Sequence, residues 1–328
     1  MSMKFSEYFE LWANQNYYKN GVKIGKNGDF YTAVSVGSMF GITLAKHFIS
    51  LVKNGEIKPE CDIVEIGAND GSMMVDFIQG VFSFDKDMLK NLTFHIIEPH
   101  ENLKQLQKTK FKTSFTSEIN VFHHSSLKEC SFENAFFMCN ELLDTFACEI
   151  IKDDKMLFIK NEKPVFEKMD EKTKSLASKF NITNGELPIN LENFVQEIYK
   201  CAKKCWFLTA DYGYTINEQR ITLRIYKNHE VYNFFEISNL KDFFGISDIT
   251  YDVNFSLLKN IFEKNGFKMV KFQKQGNALL DFGIMDLVSE IEQKAGFNAY
   301  QNAISQIKHL IDPRVMGEKF KIIEFKKG

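Results

Sequence analysis

The stretch IVEIGANDG at residues 63–71 contains the pattern that decides the fold. Its first four residues are strand-forming, the next five are mostly small turn residues, and an amphipathic segment over residues 72–81 follows. A second apolar strand at residues 93–98 ends at Glu98. A small-residue turn between a strand and a helix can expose backbone N–H groups to a ligand at the positive end of the helix. The pattern predicts a nucleoside-cofactor site in which Glu98 accepts hydrogen bonds from ribose hydroxyls.

The residues of this turn favour S-adenosylmethionine over a dinucleotide. A dinucleotide fingerprint, G-x-G-x-x-G, needs a second glycine where this chain has Asn69, and Asp70 would repel a pyrophosphate. S-adenosylmethionine has no phosphate, and its sulfonium and amino groups are cationic, so Glu65 and Asp70 would attract it. Taken alone, Gly67 and Gly71 fit a turn that merely connects a strand to a helix. The downstream acid favours the cofactor site.

Composition limits the class of protein. The chain has 328 residues, 44% hydrophobic and 26% charged, with a net charge of −2 and no long basic run, so nothing indicates nucleic-acid binding. Six cysteines form no C-x-x-C pair, which indicates reduced core thiols and no metal site. No apolar run is long enough for a signal peptide or a membrane span. We therefore expect a cytoplasmic protein without a membrane partner, and a homodimer is compatible with the sequence.

Strands and helices alternate from Cys61 onward, which predicts an α/β fold with a parallel sheet. We expect one elaborated domain over residues 1–328: a helical cap at 1–58, a core at 59–147 and 191–328, and an antiparallel insertion at 148–190. The expected core strands lie at residues 62–66, 93–98, about 119–123, 135–140 and 205–211.

Two carboxylates follow the strand at residues 135–140, namely Glu141 and Asp144. Ligands of an open parallel sheet bind outside the carboxyl ends of its strands, so these residues should lie beside the cofactor turn. Paired carboxylates can hold a planar guanidinium, and one of them can accept a proton. The alternative for Asp144 or Asn140 is a helix N-cap. We predict that Glu141 and Asp144 are catalytic.

Further polar residues form a predicted substrate wall. Tyr212 follows another apolar strand, and Arg224 and His229 cluster shortly after it. The alternatives are a plain turn at Tyr212 and a structural role for the histidine. The pair His123–His124 lacks acids or cysteines at metal-ligand spacing, so we expect no metal there.

A loop rich in glycine and asparagine, residues 21–32, precedes these motifs. Such a loop is costly to order unless it binds something, and we expect it to close over the cofactor through Tyr31 and Thr32. Ser126, after the third core strand, is a further expected cofactor contact.

Taken in order, these motifs resemble the MidA-type S-adenosylmethionine-dependent methyltransferases, which include a mitochondrial complex I assembly factor that methylates a protein arginine. The resemblance covers nearly the whole chain. Its segments are residues 28–33, 39–41, 64–71, 97–99, 140–144, 211–213, 223–229, 248–255, 275–276 and 316–321.

The resemblance implies a Rossmann-like, seven-stranded class I methyltransferase sheet with one antiparallel hairpin strand, an N-terminal helical cap and an inserted β-rich subdomain. It implies methyl transfer from S-adenosyl-L-methionine to a protein arginine, with a respiratory complex I subunit as the model substrate. Glu141 would orient the guanidinium and Asp144 would support it. The implied cofactor-binding residues are Tyr31, Thr32, Glu65, Gly67, Asn69, Asp70, Gly71, Glu98, Ser126 and Asn140.

The chain departs from the family pattern at three places. Val34–Ser35 stand where the family has Pro-Glu, Asn69 stands at the second turn glycine, and Asp252 stands where the family tends to have histidine. The departures at Ser35 and Asp252 motivate a second hypothesis, a catalytically weak or inactive methyltransferase fold that serves as an assembly or binding factor. A nicotinamide-dependent oxidoreductase is the third, and Asp70 opposes it.

Overall fold

A computed structural model of the chain describes residues 2–19, 32–215, 220–294 and 296–328. Its contacts divide the chain into two compact units. Unit 1 comprises Met1–Tyr31, Leu142–Val195 and Tyr212–Ile261; unit 2 comprises Thr32–Glu141, Gln196–Asp211 and Phe262–Gly328.

The strands of the described residues are, in chain order, β1 (Ser2–Lys4), β2 (Cys61–Ile66), β3 (Leu92–Ile97), β4 (Val121–His124), β5 (Phe132–Asn140), β6 (Cys148–Lys152), β7 (Lys155–Lys160), β8 (Lys163–Lys168), β9 (Asn184–Pro188), β10 (Ala202–Tyr214), β11 (Arg224–Lys227), β12 (Glu230–Asn233), β13 (Asp248–Thr250), β14 (Val253–Asn254), β15 (Lys268–Lys274) and β16 (Phe320–Lys327). The α-helices of the same residues are α1 (Phe5–Trp12), α2 (Ala33–Val36), α3 (Met39–Lys53), α4 (Ser72–Phe84), α5 (Glu101–Ser114), α6 (Glu171–Phe180), α7 (Leu191–Cys201), α8 (Phe255–Lys264), α9 (Gln275–Asp281), α10 (Ile284–Lys294) and α11 (Gly296–Ile311).

Unit 2 is built around a mixed sheet with the strand order β15-β16-β10-β5-β2-β3-β4. The strands from β10 to β4 pair in parallel, and β15 is antiparallel to β16. Ile66 pairs with Ile97, and Asn140 pairs with Ala210, so the carboxyl ends of these strands meet at one edge. The predicted α/β fold with a largely parallel sheet is confirmed, and so are its five predicted core strands.

The predicted count of seven strands is one short. The two-residue strand β14 pairs in parallel with the end of β10, through Gly213 and Val253, which makes eight strands among the described residues. A Cβ atom on Gly213 would lie 2.0 Å from the Val253 carbonyl oxygen, so only glycine permits this close approach. A strand of two residues is too short to show an alternation of apolar and polar side chains, so β14 could not be predicted from sequence.

Phenylalanine fills the core on one side of the sheet in unit 2. Phe136 of β5 is fully buried and packs against Phe48 of α3 and Phe77 of α4, with ring centroids 5.2 and 6.1 Å apart. The five consecutive residues from Ala135 to Cys139 of β5 are all buried, as expected for a central parallel strand that is covered on both faces.

Unit 1 contains antiparallel sheets around a second aromatic core. One sheet has the order β1-β7-β6-β9, with β8 beside β7, and the other has the order β12-β11-β13. Phe5, Phe9 and Trp12 of α1 are fully buried in this core, and Trp12 Nε1 donates to the Ser247 carbonyl over 2.8 Å.

The antiparallel strands expected within residues 148–190 are present, with two corrections. The sheet also contains β1 from the N-terminal end, so residues 148–190 do not form it alone. The polar stretch after residue 168 was expected to be an exposed connection, but it contains α6. Asp170 caps this helix, and its Oδ1 accepts from the Thr173 N–H over 2.8 Å.

Contacts divide the residues of the predicted helical cap, with residues up to 31 in unit 1 and residues 32–58 in unit 2. Residues 212–261, expected in the core, are grouped with unit 1. Among the described helices, none has the length and apolar character that crossing a bilayer requires.

Replacing Phe136 by alanine should lower the free energy of unfolding by about 3–5 kcal/mol, because the cavity left between α3 and α4 cannot collapse fully. The exposed Phe82 of α4 is the matched control: Phe82→Ala should change the free energy of unfolding by less than about 0.5 kcal/mol. Urea unfolding followed by tryptophan fluorescence measures both, and equal losses would contradict this packing.

Candidate functional site

The turn after β2 requires left-handed backbone at three positions. Gly67 has φ 72°, Asn69 has φ 47° and Gly71 has φ 83°. Glycine adopts this conformation freely, and asparagine tolerates it better than most residues. The Gly71 N–H donates to the Ala68 carbonyl over 2.8 Å, and α4 begins at the next residue. Asn69 thus suits the turn at the position where a dinucleotide fingerprint has glycine.

Glu65, near the end of β2, is a buried carboxyl group whose Oε2 has no hydrogen-bond partner among the described residues. Burial raises its pKa well above the usual range, and the charge of Asp70 adds to that rise. A hydrogen bond from the backbone N–H of Met74, in the first turn of α4, lowers the pKa. A ligand that brings a donor or a positive charge to Oε2 would favour the ionised form of Glu65.

Asp70 is already engaged in local interactions. Its Oδ1 accepts from the Ser72 N–H over 3.0 Å, and its Oδ2 accepts from the Ser72 hydroxyl over 2.8 Å. Lys110 of α5 forms an ion pair with Oδ2 at 3.0 Å. The negative charge that was expected to repel a pyrophosphate is therefore partly offset by Lys110. Asp70 is thus weaker evidence against a dinucleotide than predicted.

Glu98 follows β3 and is buried, with both carboxylate oxygens directed to neighbours. Oε1 accepts from the His100 N–H over 2.9 Å, and Oε2 lies 3.5 Å from the Gln107 side-chain nitrogen. That nitrogen also donates to the Asn69 carbonyl over 2.8 Å, so Gln107 links the two strand ends. Burial raises the pKa of Glu98 to about 7, while these hydrogen bonds and Lys104 lower it.

Glu141 follows β5 with an uncommon backbone conformation, φ 49°, that is costly for a residue with a Cβ. Its N–H donates to the Ala210 carbonyl over 2.9 Å. Its Oε1 accepts from the Ala33 N–H over 3.2 Å and from the Asn140 amide over 2.9 Å. The carboxylate of Glu141 therefore has a fixed position at the end of β5.

Thr32 caps the short helix α2 in a reciprocal box with Ser35. The Ser35 N–H donates to the Thr32 hydroxyl over 3.0 Å, and the Thr32 N–H donates to the Ser35 hydroxyl over 2.8 Å. Glutamate often has the second role in such a box, so Ser35 can replace the acid of the family pattern. Tyr31, the neighbouring predicted contact, lies outside the described residues.

Ser126 lies after β4, where its hydroxyl accepts from the Lys128 N–H over 3.0 Å. This hydroxyl caps a short helical turn and retains its own proton as a donor.

Several buried polar atoms of unit 2 lack a partner among the described residues, and three of them belong to residues at or beside the strand ends: Glu65 Oε2, Asn140 Oδ1 and Gln107 Oε1. Buried polar atoms are nearly always paired in folded proteins, so unpaired acceptors at strand ends favour a ligand that supplies donors. Ribose hydroxyls, a primary amine and an ammonium group are such donors. The residues present therefore fit a nucleoside that carries an amino group.

Asp144, in unit 1, is buried and accepts from the Tyr212 and Thr250 hydroxyls, the latter over 2.6 Å. Burial raises its pKa, while these two hydroxyls and the charge of Arg224 lower it. Its Oδ1 has no partner among the described residues. Asp144 is thus not the helix N-cap that was the alternative prediction.

Arg224 forms a partly buried cluster with Asp252 in unit 1. Its Nη1 lies 2.7 Å from Asp252 Oδ1, and its Nε donates to the Tyr226 hydroxyl over 3.2 Å. The guanidinium also lies 4.6 Å from the centroid of the Tyr212 ring. Asp252, the departure from the family histidine, is therefore the counter-ion of Arg224.

His229 lies in the exposed turn between β11 and β12, with φ 65°. A hydrogen bond joins Tyr212 to Asp144, and the Tyr212 ring contacts the guanidinium of Arg224. His229 lies in the hairpin turn instead.

Sequence reasoning missed Gln107, Lys110 and Thr250. Gln107 lies on the buried face of α5 with Leu103 and Phe111, and this polar residue on an apolar face was the available signal. Lys110 and Thr250 carried no comparable signal, because their partners are distant in sequence.

Comparisons with known proteins find relatives that match most of the chain. The family model described as S-adenosyl-L-methionine-dependent methyltransferase matches residues 43–273. The mitochondrial protein arginine methyltransferase NDUFAF7 of Bos taurus is 22% identical over 352 residues, which cover 94% of this chain and 76% of that protein.

Two crystal structures of COG1565 superfamily proteins from Burkholderia thailandensis share the fold. One, bound to S-adenosyl-homocysteine, has a TM-score of 0.81 at 21% identity and covers 99% of this chain and 88% of its own. The other, a native structure, has a TM-score of 0.79 at 21% identity and covers 99% and 87%. The family match spans more than half of the chain. This chain therefore belongs to the S-adenosyl-L-methionine-dependent methyltransferase family and is an enzyme whose methyl donor is S-adenosyl-L-methionine.

Proposed function

We propose that this methyltransferase acts on an arginine side chain of a protein. The carboxylate of Glu141, fixed at the end of β5 by two hydrogen bonds, is the observation that carries the proposal. Carboxylates bind guanidinium groups through charge-assisted and often bidentate hydrogen bonds. The bovine relative that bears the name of a protein arginine methyltransferase supports the same substrate class.

Residues at the strand ends of unit 2 would hold the cofactor. Glu98 would accept from the ribose hydroxyls, and the turn with Gly67, Asn69 and Gly71 would allow close approach of the backbone. Glu65 would accept from the amino group. Bound S-adenosyl-L-methionine supplies a methyl group that is already activated on a cationic sulfur. The remaining proposed contacts are Thr32, Asp70, Ser126 and Asn140, with Tyr31 from outside the described residues.

Positioning is the main catalytic task of this chain in the proposal. Glu141 would hold the guanidinium plane in a fixed orientation, which converts binding into rate enhancement. Its conformation, φ 49°, stores local strain of about 1–3 kcal/mol, and such strain clusters at functional sites.

Asp144 is proposed as a positioning residue, because its hydrogen bonds with Tyr212 and Thr250 fix the segment that follows Glu141. Tyr212, Arg224 and His229 stay predicted substrate-binding residues. A complex I subunit as the acceptor, a cytoplasmic location and a homodimer also stay predictions.

Glu141→Gln should keep the affinity for S-adenosyl-L-methionine and lose roughly 10²–10³-fold in turnover, because the amide lacks the charge that orients a guanidinium. Turnover is measured with methyl-labelled S-adenosyl-L-methionine on a whole-cell protein extract, followed by acid hydrolysis and quantification of methylarginine.

The control is Glu133→Gln, because Glu133 is an exposed carboxylate on β5, the strand that precedes Glu141. This variant should leave turnover unchanged. Wild-type turnover in Glu141→Gln would show that Glu141 does not orient the guanidinium. Label on residues other than arginine would refute the proposed acceptor, and no label on any protein would favour the assembly-factor hypothesis.

The affinity for S-adenosyl-L-methionine should fall as the pH is lowered through about 7, because Glu98 then becomes protonated and loses an acceptor for the ribose hydroxyls. The raised pKa means that the carboxylate form, which binds the ribose, prevails only above that value. Glu98→Gln should weaken binding about tenfold, roughly 1.4 kcal/mol, and flatten the pH profile. Calorimetric titration over a pH series measures both effects.

Glu101→Gln serves as the matched control, since Glu101 lies at the exposed start of α5 near Glu98 in sequence. It should retain the wild-type affinity and pH profile. Two results would show that Glu98 does not bind the ribose. One is a wild-type affinity for S-adenosyl-L-methionine that is constant across neutral pH, and the other is an affinity of Glu98→Gln that depends on pH as strongly as that of the wild type.

A further inference from the structure

One face of helix α5 packs against the cofactor turn and carries a buried glutamine, Gln107, that is not among the proposed cofactor contacts. Gln107 is fully buried, one helical turn from Leu103 and from Phe111 on the same face. A Cβ atom on Gly71 would lie 3.3 Å from Phe111 Cε2 and 3.4 Å from Gln107 Cγ, so this face of α5 contacts the end of the turn. Gln107 therefore lies beside the residues that begin the cofactor site.

The side-chain nitrogen of Gln107 faces two acceptors that follow different strands. Nε2 donates to the Asn69 carbonyl over 2.8 Å and lies 3.5 Å from Oε2 of Glu98. Both neighbours are acceptors, so only the nitrogen end of the amide can face them, which fixes the orientation of the side chain. Asn69 lies in the turn after β2, and Glu98 follows β3. A single amide group thus joins the cofactor turn to the acid at the end of the next strand.

The other end of the amide indicates that packing alone does not account for Gln107. Its Oε1 is buried and has no hydrogen-bond partner among the described residues. An apolar side chain of the same length would fill this space without leaving a buried acceptor unpaired, which is costly. The hydrogen bonds of Nε2 are therefore what an amide contributes at this position.

We propose that Gln107 is a positioning residue of the cofactor site: its amide nitrogen holds the Asn69 carbonyl and the Glu98 carboxylate in the arrangement that receives the ribose. This inference rests on the proposed function only in taking Glu98 as the acceptor for the ribose hydroxyls. It gives α5 a part in cofactor binding, although no residue of α5 is among the proposed contacts.

The ionisation of Glu98 provides a direct readout of this contact. Burial is the main cause that raises the pKa of Glu98 to about 7, and the His100 N–H, the Gln107 amide and the charge of Lys104 lower it. Glu65 is the neighbouring acid, since the charge of Glu98 raises the pKa of Glu65. Removing the Gln107 donor should therefore raise the pKa of Glu98 while these other groups stay in place.

The first measurement is the pKa of Glu98 in the full chain without cofactor, followed by NMR on the glutamate carboxyl carbons labelled with ¹³C. The signal of Glu98 is the one that is absent from Glu98→Gln. In Gln107→Met, which keeps the length of the side chain and loses the donor, the pKa of Glu98 should rise by at least about 0.5 pH units. Gln105→Met, on the exposed face of α5, is the matched control and should leave it unchanged. An unchanged pKa of Glu98 in Gln107→Met would overturn the proposal.

Calorimetric titration with S-adenosyl-L-methionine over a pH series then measures the consequence for binding. Gln107→Met should bind the cofactor about three- to tenfold more weakly than the wild type at neutral pH, and the midpoint of the pH dependence should move upward with the pKa of Glu98. A role in packing alone would lower the affinity equally at every pH and leave that midpoint unchanged. That result would overturn the proposal.

Gln107→Glu is the second variant, because it keeps the shape of the side chain if Gln107→Met fails to fold. Its carboxylate would face the Asn69 carbonyl and Glu98 without a donor, so it should raise the pKa of Glu98 and weaken cofactor binding more than Gln107→Met does. Wild-type affinity in Gln107→Glu would overturn the proposal, because shape alone would then be sufficient.

The same titrations separate this inference from the proposed role of Glu98. A wild-type affinity that does not depend on pH would refute the binding of ribose by Glu98, and this inference with it. A pH-dependent wild-type affinity, together with an unchanged pKa of Glu98 in Gln107→Met, would overturn the role of Gln107 alone.

Discussion

The site depends on one constraint: buried acceptor atoms lie at the carboxyl ends of parallel strands, where the described residues supply no donors for them. Glu65 and Asn140 each keep an oxygen without a partner among the described residues, and Gln107 does the same from α5. Leaving such atoms unpaired costs about 1–3 kcal/mol each. In the proposed site the methyl donor, which carries hydroxyl and amino groups, would supply the missing donors and offset that cost. Left-handed backbone at Gly67 and Gly71 keeps the same edge open to the ligand.

The departures from the family pattern at Ser35 and Asp252 have local structural explanations. Ser35 forms a reciprocal capping box with Thr32, a role that glutamate commonly has at that position. Asp252 pairs with Arg224, which a neutral histidine could not do with equal strength. Neither substitution removes an acceptor from the strand ends of unit 2, so both are compatible with cofactor binding.

Much of the fold could be predicted because its signals are local. The apolar runs at β2, β3 and β5 and the small-residue turn after β2 each occupy a few adjacent residues, and parallel topology brings their ends together. The remainder depends on partners distant in sequence. The ion pair of Asp70 with Lys110, the bond of Thr250 to Asp144 and the short strand β14 join residues without any shared local pattern. The burial that raises the pKa of Glu98 is likewise a property of the folded chain.

The central claim is that the strand ends of unit 2 bind S-adenosyl-L-methionine and no dinucleotide. Parallel calorimetric titrations of the wild-type chain with S-adenosyl-L-methionine and with NADH test it most directly. The account predicts saturable binding of S-adenosyl-L-methionine with one molecule per chain and no heat of binding for NADH. Saturable binding of NADH without binding of S-adenosyl-L-methionine would contradict it, because the turn would then accommodate a pyrophosphate despite Asn69 and Asp70.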